Sequence, residues 1–207
     1  MKKYIYFHIC CINNWKDIVS DLLYKIKDSK LYDIIDEIRC CILGKCDDMS
    51  LFDDNKIKII DTNDNITLYE TFTINKIYED AKNEDFFVLY IHSKGLNHNG
   101  KNQCVLDWVE YLSYFNIYQH KLCINLLYST YDTVGVNLQY QRALHYSGNF
   151  WWSKSSYINK LEKCIYNHYN APEFWITEKN IGKYANLWSS GVNHYDMRYE
   201  KERYILK

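Results

Sequence analysis

The chain has 207 residues and a mass of 25.0 kDa, the size of one ordinary domain with a substantial core. Its 25 lysine and arginine residues are balanced by 26 aspartate and glutamate residues, which gives a formal net charge of -1. This balance excludes an overall positive field that would gather nucleic acid or an anionic membrane, so any anion site must be local.

No run of about 18 apolar residues occurs, which excludes a typical transmembrane helix. The N-terminal "MKKYIYFHICC" also lacks the apolar region and cleavage site of a signal peptide, so the sequence predicts a cytoplasmic protein. Reduced thiols are expected in that compartment, and the eight cysteines include no C-x-x-C pair of the zinc type. We therefore expect the cysteines to be small core residues.

Short apolar runs alternate with amphipathic segments, a pattern typical of a sheet covered by helices. Asn14 and Asp17 resemble a capping pair at the start of the first helix. No linker or repeat divides the chain, so we expect one α/β domain over 1–207 whose first half, about 1–100, resembles a nucleotide-binding unit. In chain order the pattern predicts a strand over 3–11, a helix over 13–29, strands over 36–44 and 56–62, a helix from about 67, a strand over 85–92, a helix over about 103–128, and strands over 132–138 and 145–152.

Polar residues follow three of the predicted strands. In open parallel sheets, ligands bind at the carboxyl ends of the strands, where loops and helix N-termini converge. We therefore expect the ligand site at this edge. The residues are His8, then Asp61-Thr62-Asn63, and then His92-Ser93-Lys94 followed by Gly95.

The stretch "DFFVLYIHSKG", residues 85–95, is an apolar strand with an abrupt polar end. Residues two apart on a strand point to the same side, so His92 and Lys94 would project together as a basic pair while Ser93 faces away. Such a pair could neutralise a diphosphate leaving group, a task that fixed cations or a metal can perform. The alternative is that both residues mark the exit of the strand into solvent.

Three consecutive aromatic residues, Phe150-Trp151-Trp152, lie in "HYSGNFWW". They cannot all be buried on one face of a strand, so we expect at least one ring to face a ligand, as aromatic faces pack against sugars. Neighbouring Asn149 could bind sugar hydroxyls. The alternative is a strand that is buried on both faces.

Two further polar segments lie nearer the C-terminus. In "NAPEFWITEKN", Glu173 precedes two aromatic residues, and partial loss of water around its carboxyl group would suit a general base. The alternative is a carboxylate that faces water at the start of a helix. In "SSGVNHYDMRY", His194, Asp196 and Arg198 alternate, which suggests one face of an extended tail or a surface loop.

The segments "FFVLYIHSKG", "SGNFWWSKSSYINKL" and "PEFWI", together with "DWVEYLSYFNIYQHKLCINLLYSTYDTVGVN", resemble glycosyltransferase-like proteins of large DNA viruses and some bacteria. The resemblance covers residues 4–175. It implies a GT-A fold, an open α/β/α sandwich with a mixed, mainly parallel sheet that binds UDP at the carboxyl edge of its first strands. In most such enzymes the strand corresponding to 86–91 ends in Asp-x-Asp, which binds a divalent metal. Here that position reads His92-Ser93-Lys94, which puts dependence on Mn²⁺ or Mg²⁺ in doubt.

The resemblance also implies roles for individual residues. Lys94 would neutralise the donor diphosphate with His92 beside it, and Glu173 would complete the catalytic set. His194 is a candidate metal ligand, because GT-A enzymes commonly recruit a late histidine. The donor would contact His8, Asp61, Thr62, Asn63, Ser93 and Gly95, and the acceptor and transferred sugar would contact His145, Asn149, Trp151, Trp152 and Trp175 in the second half, about 101–207.

We therefore predict a glycosyltransferase that moves a hexose or deoxyhexose from a UDP-sugar to a glycan acceptor. Two alternatives stay open. One is a non-catalytic domain that binds a carbohydrate or a nucleotide sugar on the same scaffold, favoured by the missing Asp-x-Asp. The other is a docking module whose aromatic patch binds protein.

Overall fold

The computed structural model describes residues 1–96, 101–165 and 170–205. Seven strands in these ranges form one sheet in the order β3-β2-β1-β4-β8-β5-β9, and β6 pairs only with β7. The strands are β1 (Lys2–Cys10), β2 (Glu37–Leu43), β3 (Ile57–Asn63), β4 (Phe86–His92), β5 (Thr133–Gly135), β6 (Leu138–Gln141), β7 (Ala143–Tyr146), β8 (Trp151–Lys154) and β9 (Tyr184–Asn186).

Helices connect the strands and cover the sheet. Within the three described ranges, no helix is long and apolar enough to cross a membrane. The helices are α1 (Trp15–Asp28), α2 (Leu31–Ile34), α3 (Thr71–Asp80), α4 (Gln103–Ser113), α5 (His120–Tyr128), α6 (Ser155–Ile158) and α7 (Ala171–Trp175).

The sheet is mixed but mainly parallel. Strands β3, β2, β1 and β4 run parallel to one another, whereas β8 is antiparallel to both β4 and β5. The predicted fold class, an α/β sandwich with a mainly parallel sheet, is confirmed. Because β2 lies on one side of β1 and β4 on the other, the chain order reverses at β1, which is where such sheets bind ligands.

The sheet has a hydrophobic core on each face. Side chains alternate along β1, so Ile5 and Phe7 belong to the core under α1, α4 and α5, while Tyr4 and Tyr6 belong to the core under α3, α6 and α7. This double burial explains why the strands are apolar runs without polar alternation. All eight cysteines are free thiols, and Cys40 and Cys41 are fully buried, one on each face of β2.

The consecutive tryptophans are core residues. Trp151 and Trp152 have no exposed surface and belong to the two different cores, and Phe150 is also fully buried. The indole N–H of Trp151 donates to Asn149 Oδ1 at 2.8 Å, and that of Trp152 donates to the Asn116 carbonyl at 2.8 Å. The prediction that one of these rings faces a ligand is wrong, because β8 lies between β4 and β5 and is covered on both faces.

Replacing Trp152 with alanine should therefore affect stability rather than acceptor binding. We expect the free energy of unfolding to fall by about 3–5 kcal/mol, because the change leaves a large cavity in a packed core. Urea denaturation measures this effect, and Tyr140→Ala, at a side chain that is 81% exposed, is the control. A Trp152→Ala protein of normal stability with weakened acceptor binding would contradict the observed burial.

The long helix predicted over 103–128 contains an interruption. Residues Tyr114–Tyr118 form a π-helical turn between α4 and α5. Asn116 Nδ2 bonds to the Leu112 carbonyl at 2.9 Å, and the Asn116 carbonyl is left free to accept from Trp152. The sequence pattern did not indicate this turn, since a tertiary hydrogen bond holds it.

The structure differs from two other local predictions. Asn14 is the residue before α1 but makes no side-chain cap, whereas Asn102 Oδ1 caps α4 by accepting from the Cys104 and Val105 amides. The two strands predicted over 132–138 and 145–152 are four shorter ones, β5 to β8, because the backbone has positive φ at Asn137 and Gly148.

Candidate active site

A cleft of about 450 Å³ opens at the carboxyl ends of β1 and β4. This is the point where the strand order reverses. Of the predicted site residues it contains His8, His92, Ser93, Lys94, Gly95, Asn149 and Glu173. Its other walls include Ile12, Ile66, Tyr69, Glu70, Trp108, Gly148 and Tyr195.

Lys94 is the cation that the described residues contribute to this cleft. Its Nζ lies 3.7 Å from the centroid of the Trp108 ring, and it forms no hydrogen bond or ion pair with any residue that the structure describes. Burial lowers the pKa of Lys94, while the carboxylates of Glu173 and Glu70 oppose that shift. An ammonium held over an aromatic face without a carboxylate partner remains available to an anionic ligand.

His92 and Lys94 do not form the predicted basic pair. The Lys94 amide donates to the His92 carbonyl at 2.8 Å, so the chain turns at Ser93 and strand alternation no longer applies. Burial and the nearby Lys94 charge lower the pKa of His92 to about 3, which leaves the imidazole neutral at physiological pH. Its Nε2–H donates to the Gly148 carbonyl at 3.1 Å.

Ser93 and Gly95 shape the end of β4. Ser93 Oγ accepts from the Cys10 amide at 3.0 Å, and the Ser93 amide donates to the His8 carbonyl at 2.9 Å. These bonds join β1 to β4 below the cleft. Gly95 has φ of +97°, and a side chain there would lie 3.1 Å from Val105, so this turn favours glycine.

His8 lies in the floor of the cleft. Its Nδ1 is 2.7 Å from Thr73 Oγ1 on α3. Burial lowers the pKa of His8 to about 4, although the Glu70 charge opposes that shift. A neutral imidazole in this position offers a hydrogen bond rather than a charge.

Glu70 is a cleft residue that the sequence did not reveal. Its Oε2 accepts from Tyr90 Oη at 2.7 Å and from Asn149 Nδ2 at 2.7 Å. Its Oε1 lies 3.8 Å from His92 Nδ1. The helix was predicted to begin at about residue 67, which would place Glu70 inside its first turn. In fact a 3₁₀ turn over Ile66–Leu68 comes first, and Glu70 is the residue before α3.

A turn at Gly148 and Asn149 connects the two acidic residues of the cleft. The Gly148 amide donates to Glu173 Oε1 at 2.9 Å. Asn149 donates to Glu70 and accepts from Trp151, so its amide group positions other side chains. Gly148 has φ of +95°, and a side chain there would lie 2.7 Å from Leu112. The turn therefore requires glycine. Because the Gly148 amide binds Glu173 and the Asn149 side chain binds Glu70, this turn holds both carboxylates at the cleft.

The predicted nucleotide ligands on β3 lie outside the cleft. Thr62 and Asn63 are exposed, and Asp61 lines a neighbouring depression of about 330 Å³ that shares Thr67 with the cleft. Strand β3 is separated from β1 by β2, a distance of about two strand spacings or 9–10 Å. The structure therefore gives no support to uracil or ribose contacts by these three residues at the cleft.

Three predicted residues of the second half are also outside the cleft. His145 is buried, with Nδ1 donating to the Ala143 carbonyl at 2.8 Å. Trp175 is 1% exposed and donates to the Glu162 carbonyl. His194 lies behind the cleft, where its ring stacks on Trp108 at 5.1 Å. These placements do not agree with contacts to an acceptor or a metal, because each of the three rings is buried against other side chains.

The C-terminal segment packs against α4. His194 Nε2 is 2.8 Å from Ser190 Oγ and 3.1 Å from Asn137 Nδ2, and burial lowers the pKa of this histidine to about 4. Arg198 Nε lies 2.8 Å from Asp107 Oδ2 on α4. The segment is thus a support for Trp108 instead of an extended tail.

The residues at the tip of β4 do not fit a divalent metal. The Lys94 ammonium stands where the GT-A resemblance implies a carboxylate, and Ser93 Oγ accepts from the Cys10 amide. Among residues 1–96, 101–165 and 170–205, no three His, Cys, Asp or Glu side chains are grouped to hold a metal ion. The Lys94 ammonium would repel a divalent metal ion at the tip of β4, because both carry positive charge.

Two solved structures share the fold of this chain, an α/β sandwich with a mainly parallel sheet. A Desulfovibrio desulfuricans protein named a nucleotide-diphospho-sugar transferase has a TM-score of 0.52 at 8% identity, over 91% of this chain and 81% of that chain. The 4-diphosphocytidyl-2C-methyl-D-erythritol synthase of Anaerococcus prevotii has a TM-score of 0.50 at 11% identity, over 97% of this chain and 94% of that chain. At such identities the likeness concerns the fold.

The chain belongs to the family described as a domain of unknown function, DUF8361, whose model matches residues 18–188. No curated protein is significantly similar in sequence. The GT-A type of fold implied by the sequence resemblance agrees with these structures, and the viral origin that it implied stays a prediction.

Proposed function

We propose that the chain is a nucleotide-sugar-dependent glycosyltransferase that moves a hexose or deoxyhexose from a UDP-sugar to a glycan acceptor. The observation that carries this proposal is the unpaired Lys94 ammonium in a cleft at the reversal point of the sheet. That is the position where open α/β sheets bind nucleotides. An anion that binds in this cleft would pair with the Lys94 ammonium, which forms no ion pair with any described residue.

The donor lies with its diphosphate beside Lys94 in this proposal. Ile12 and Ile66 line the cleft with apolar side chains that suit a flat base, and His8, Ser93 and Gly95 line it as well. Sugar transfer then forms a bond from the acceptor oxygen to the anomeric carbon and breaks the bond from that carbon to the diphosphate. The acceptor proton passes to the Glu173 carboxylate, and Lys94 stabilises the charge on the departing UDP.

The charges of the cleft favour a diphosphate over a triphosphate. Two carboxylates, Glu70 and Glu173, line it together with the one unpaired cation that the described residues provide there. Glu70 is compensated by donors from Tyr90 and Asn149, and Glu173 by the Gly148 amide. A triphosphate would bring more negative charge beside these two carboxylates than a nucleotide-sugar diphosphate does, so we favour sugar transfer over nucleotidyl transfer.

We expect UDP to bind the wild-type protein and to raise its melting temperature by mass action. Isothermal calorimetry with UDP, in separate runs with EDTA and with Mn²⁺, measures the affinity. Since the Lys94 ammonium stands where the GT-A resemblance implies a metal-binding carboxylate, EDTA should leave the affinity unchanged. Absence of UDP binding at millimolar concentration would remove the proposal.

Turnover separates this proposal from its alternatives. A transferase consumes a UDP-sugar and releases UDP, whereas a non-catalytic nucleotide-sugar-binding domain binds the donor without consuming it. A protein-docking module would show no change in melting temperature with any nucleotide. The docking alternative depended on an exposed aromatic patch at Phe150, Trp151 and Trp152, and all three side chains are fully buried.

A further inference from the structure

Two hydrogen-bond acceptors face each other across part of the cleft. Glu70 Oε1 and His92 Nδ1 are 3.8 Å apart, which is too far for a hydrogen bond. The other oxygen of Glu70 is fully engaged by Tyr90 and Asn149. The other nitrogen of His92 carries the proton that it donates to the Gly148 carbonyl. Neither facing atom therefore has a donor among the described residues.

The surroundings hold this arrangement in place. Tyr90 is fully buried, Asn149 is 2% exposed, and the His92 ring stacks on Tyr90 with centroids 6.3 Å apart. The tautomer of His92 is fixed because a carbonyl can only accept, so Nε2 must donate. Two acceptors kept in a partly buried wall without donors cost free energy unless a ligand or water supplies hydrogens.

We infer that Glu70 and His92 bind a vicinal diol of the nucleotide sugar, one hydroxyl donating to each acceptor. This inference rests on the proposed function and identifies the groups of the donor that this wall recognises. Two neighbouring hydroxyls present two donors side by side, which matches two acceptors 3.8 Å apart. Both the transferred hexose and the ribose carry such a diol, and the choice of ligand in the test distinguishes them.

Glu70→Gln is the informative substitution. The glutamine oxygen can still accept from Tyr90 and Asn149, but its amide replaces Oε1 with a donor directed at His92 Nδ1. The acceptor pair would then satisfy itself and lose the diol. Since hydrogen bonds to a charged group are worth more than neutral ones, we expect affinity for the complete UDP-hexose to fall by about 10- to 100-fold.

Calorimetry with a set of ligands tests the inference. The set contains a UDP-hexose, its analogues lacking one hydroxyl at a time, UDP, and 2′-deoxy-UDP. The wild type should lose affinity when a recognised hydroxyl is missing, and Glu70→Gln should lose nothing further for that analogue. Loss confined to the hexose analogues assigns the hexose diol, whereas loss with 2′-deoxy-UDP assigns the ribose.

Two further variants guard against a purely structural effect. Tyr90→Phe removes one donor to Glu70 Oε2 from a fully buried ring and should show the same ligand pattern with a smaller loss. Glu178→Gln, at an exposed carboxylate, should match the wild type. If Glu70→Gln discriminates among the analogues as the wild type does, the diol site is wrong although UDP binds. If the wild type binds neither UDP nor the UDP-hexose, both the inference and the proposed function fail.

Discussion

Replacing Lys94 with alanine is expected to lower kcat for sugar transfer by about 100-fold or more, with a smaller change in affinity for the donor. Charge on the diphosphate grows as the bond to the sugar breaks, so a fixed cation stabilises the transition state more than the bound donor. Lys94 suits this role because its ammonium lies over Trp108 and has no carboxylate partner among the described residues. Removing it leaves the two carboxylates of the cleft without a balancing charge.

Steady-state kinetics and calorimetry on the same protein separate the two effects. Lys94→Arg should recover only part of kcat, because a planar guanidinium does not reproduce a compact point charge. Lys121→Ala, at an exposed lysine of α5, is the matched control. An unchanged kcat in Lys94→Ala would exclude a role for this ammonium in stabilising the departing diphosphate.

The pH dependence of kcat provides a second test of Lys94. Burial lowers the pKa of this group, so its ammonium loses the proton at a lower pH than an ordinary lysine does. Activity should therefore be present on the acidic side of that pKa and disappear as the pH rises through it. Lys94→Arg should remove this alkaline loss, since arginine keeps its charge.

The sequence predicted the architecture well because parallel strands that are buried on both faces appear in the sequence as continuous apolar runs. The apolar runs over 3–11 and 85–92 are β1 and β4, and the polar residues at their ends do line the cleft. Lys94 could be recognised as a candidate for the same reason, since it lies just after one of these apolar runs. Asp61 followed an equally clear strand, but β3 is at the sheet edge, and strand order is not visible in a local pattern.

The contacts that complete the site could not be predicted locally. Glu70 depends on Tyr90 and Asn149, which lie 20 and 79 positions further along the chain. Trp151 and Trp152 are both buried because β8 is inserted between β4 and β5, an arrangement set by long-range pairing. His194 supports Trp108 across 86 positions by ring stacking, so its late place in the sequence was a misleading signal of metal binding.

Replacing Glu173 with glutamine is expected to lower kcat by about 100- to 10,000-fold while leaving donor affinity nearly unchanged. Glutamine keeps the size of the side chain, and its amide oxygen can still accept from the Gly148 N–H, which is 2.9 Å from Glu173 Oε1. The variant therefore preserves the turn at Gly148 and removes only the capacity to take a proton. The other oxygen of Glu173 has no described hydrogen-bond donor and is free to meet an acceptor hydroxyl.

Transfer to the acceptor, hydrolysis of the donor and calorimetric affinity for the UDP-sugar should be measured on one preparation. Loss of both reactions with normal donor binding would assign proton removal to Glu173, since water and acceptor each need a base. A fall in donor affinity as large as the fall in kcat would instead make Glu173 a binding residue. Glu178→Gln is the matched control, because that carboxylate is five positions further along the same segment and exposed. Equal kcat in the wild type and Glu173→Gln would move the search for the base to Glu70, the other carboxylate that lines the cleft in the described chain.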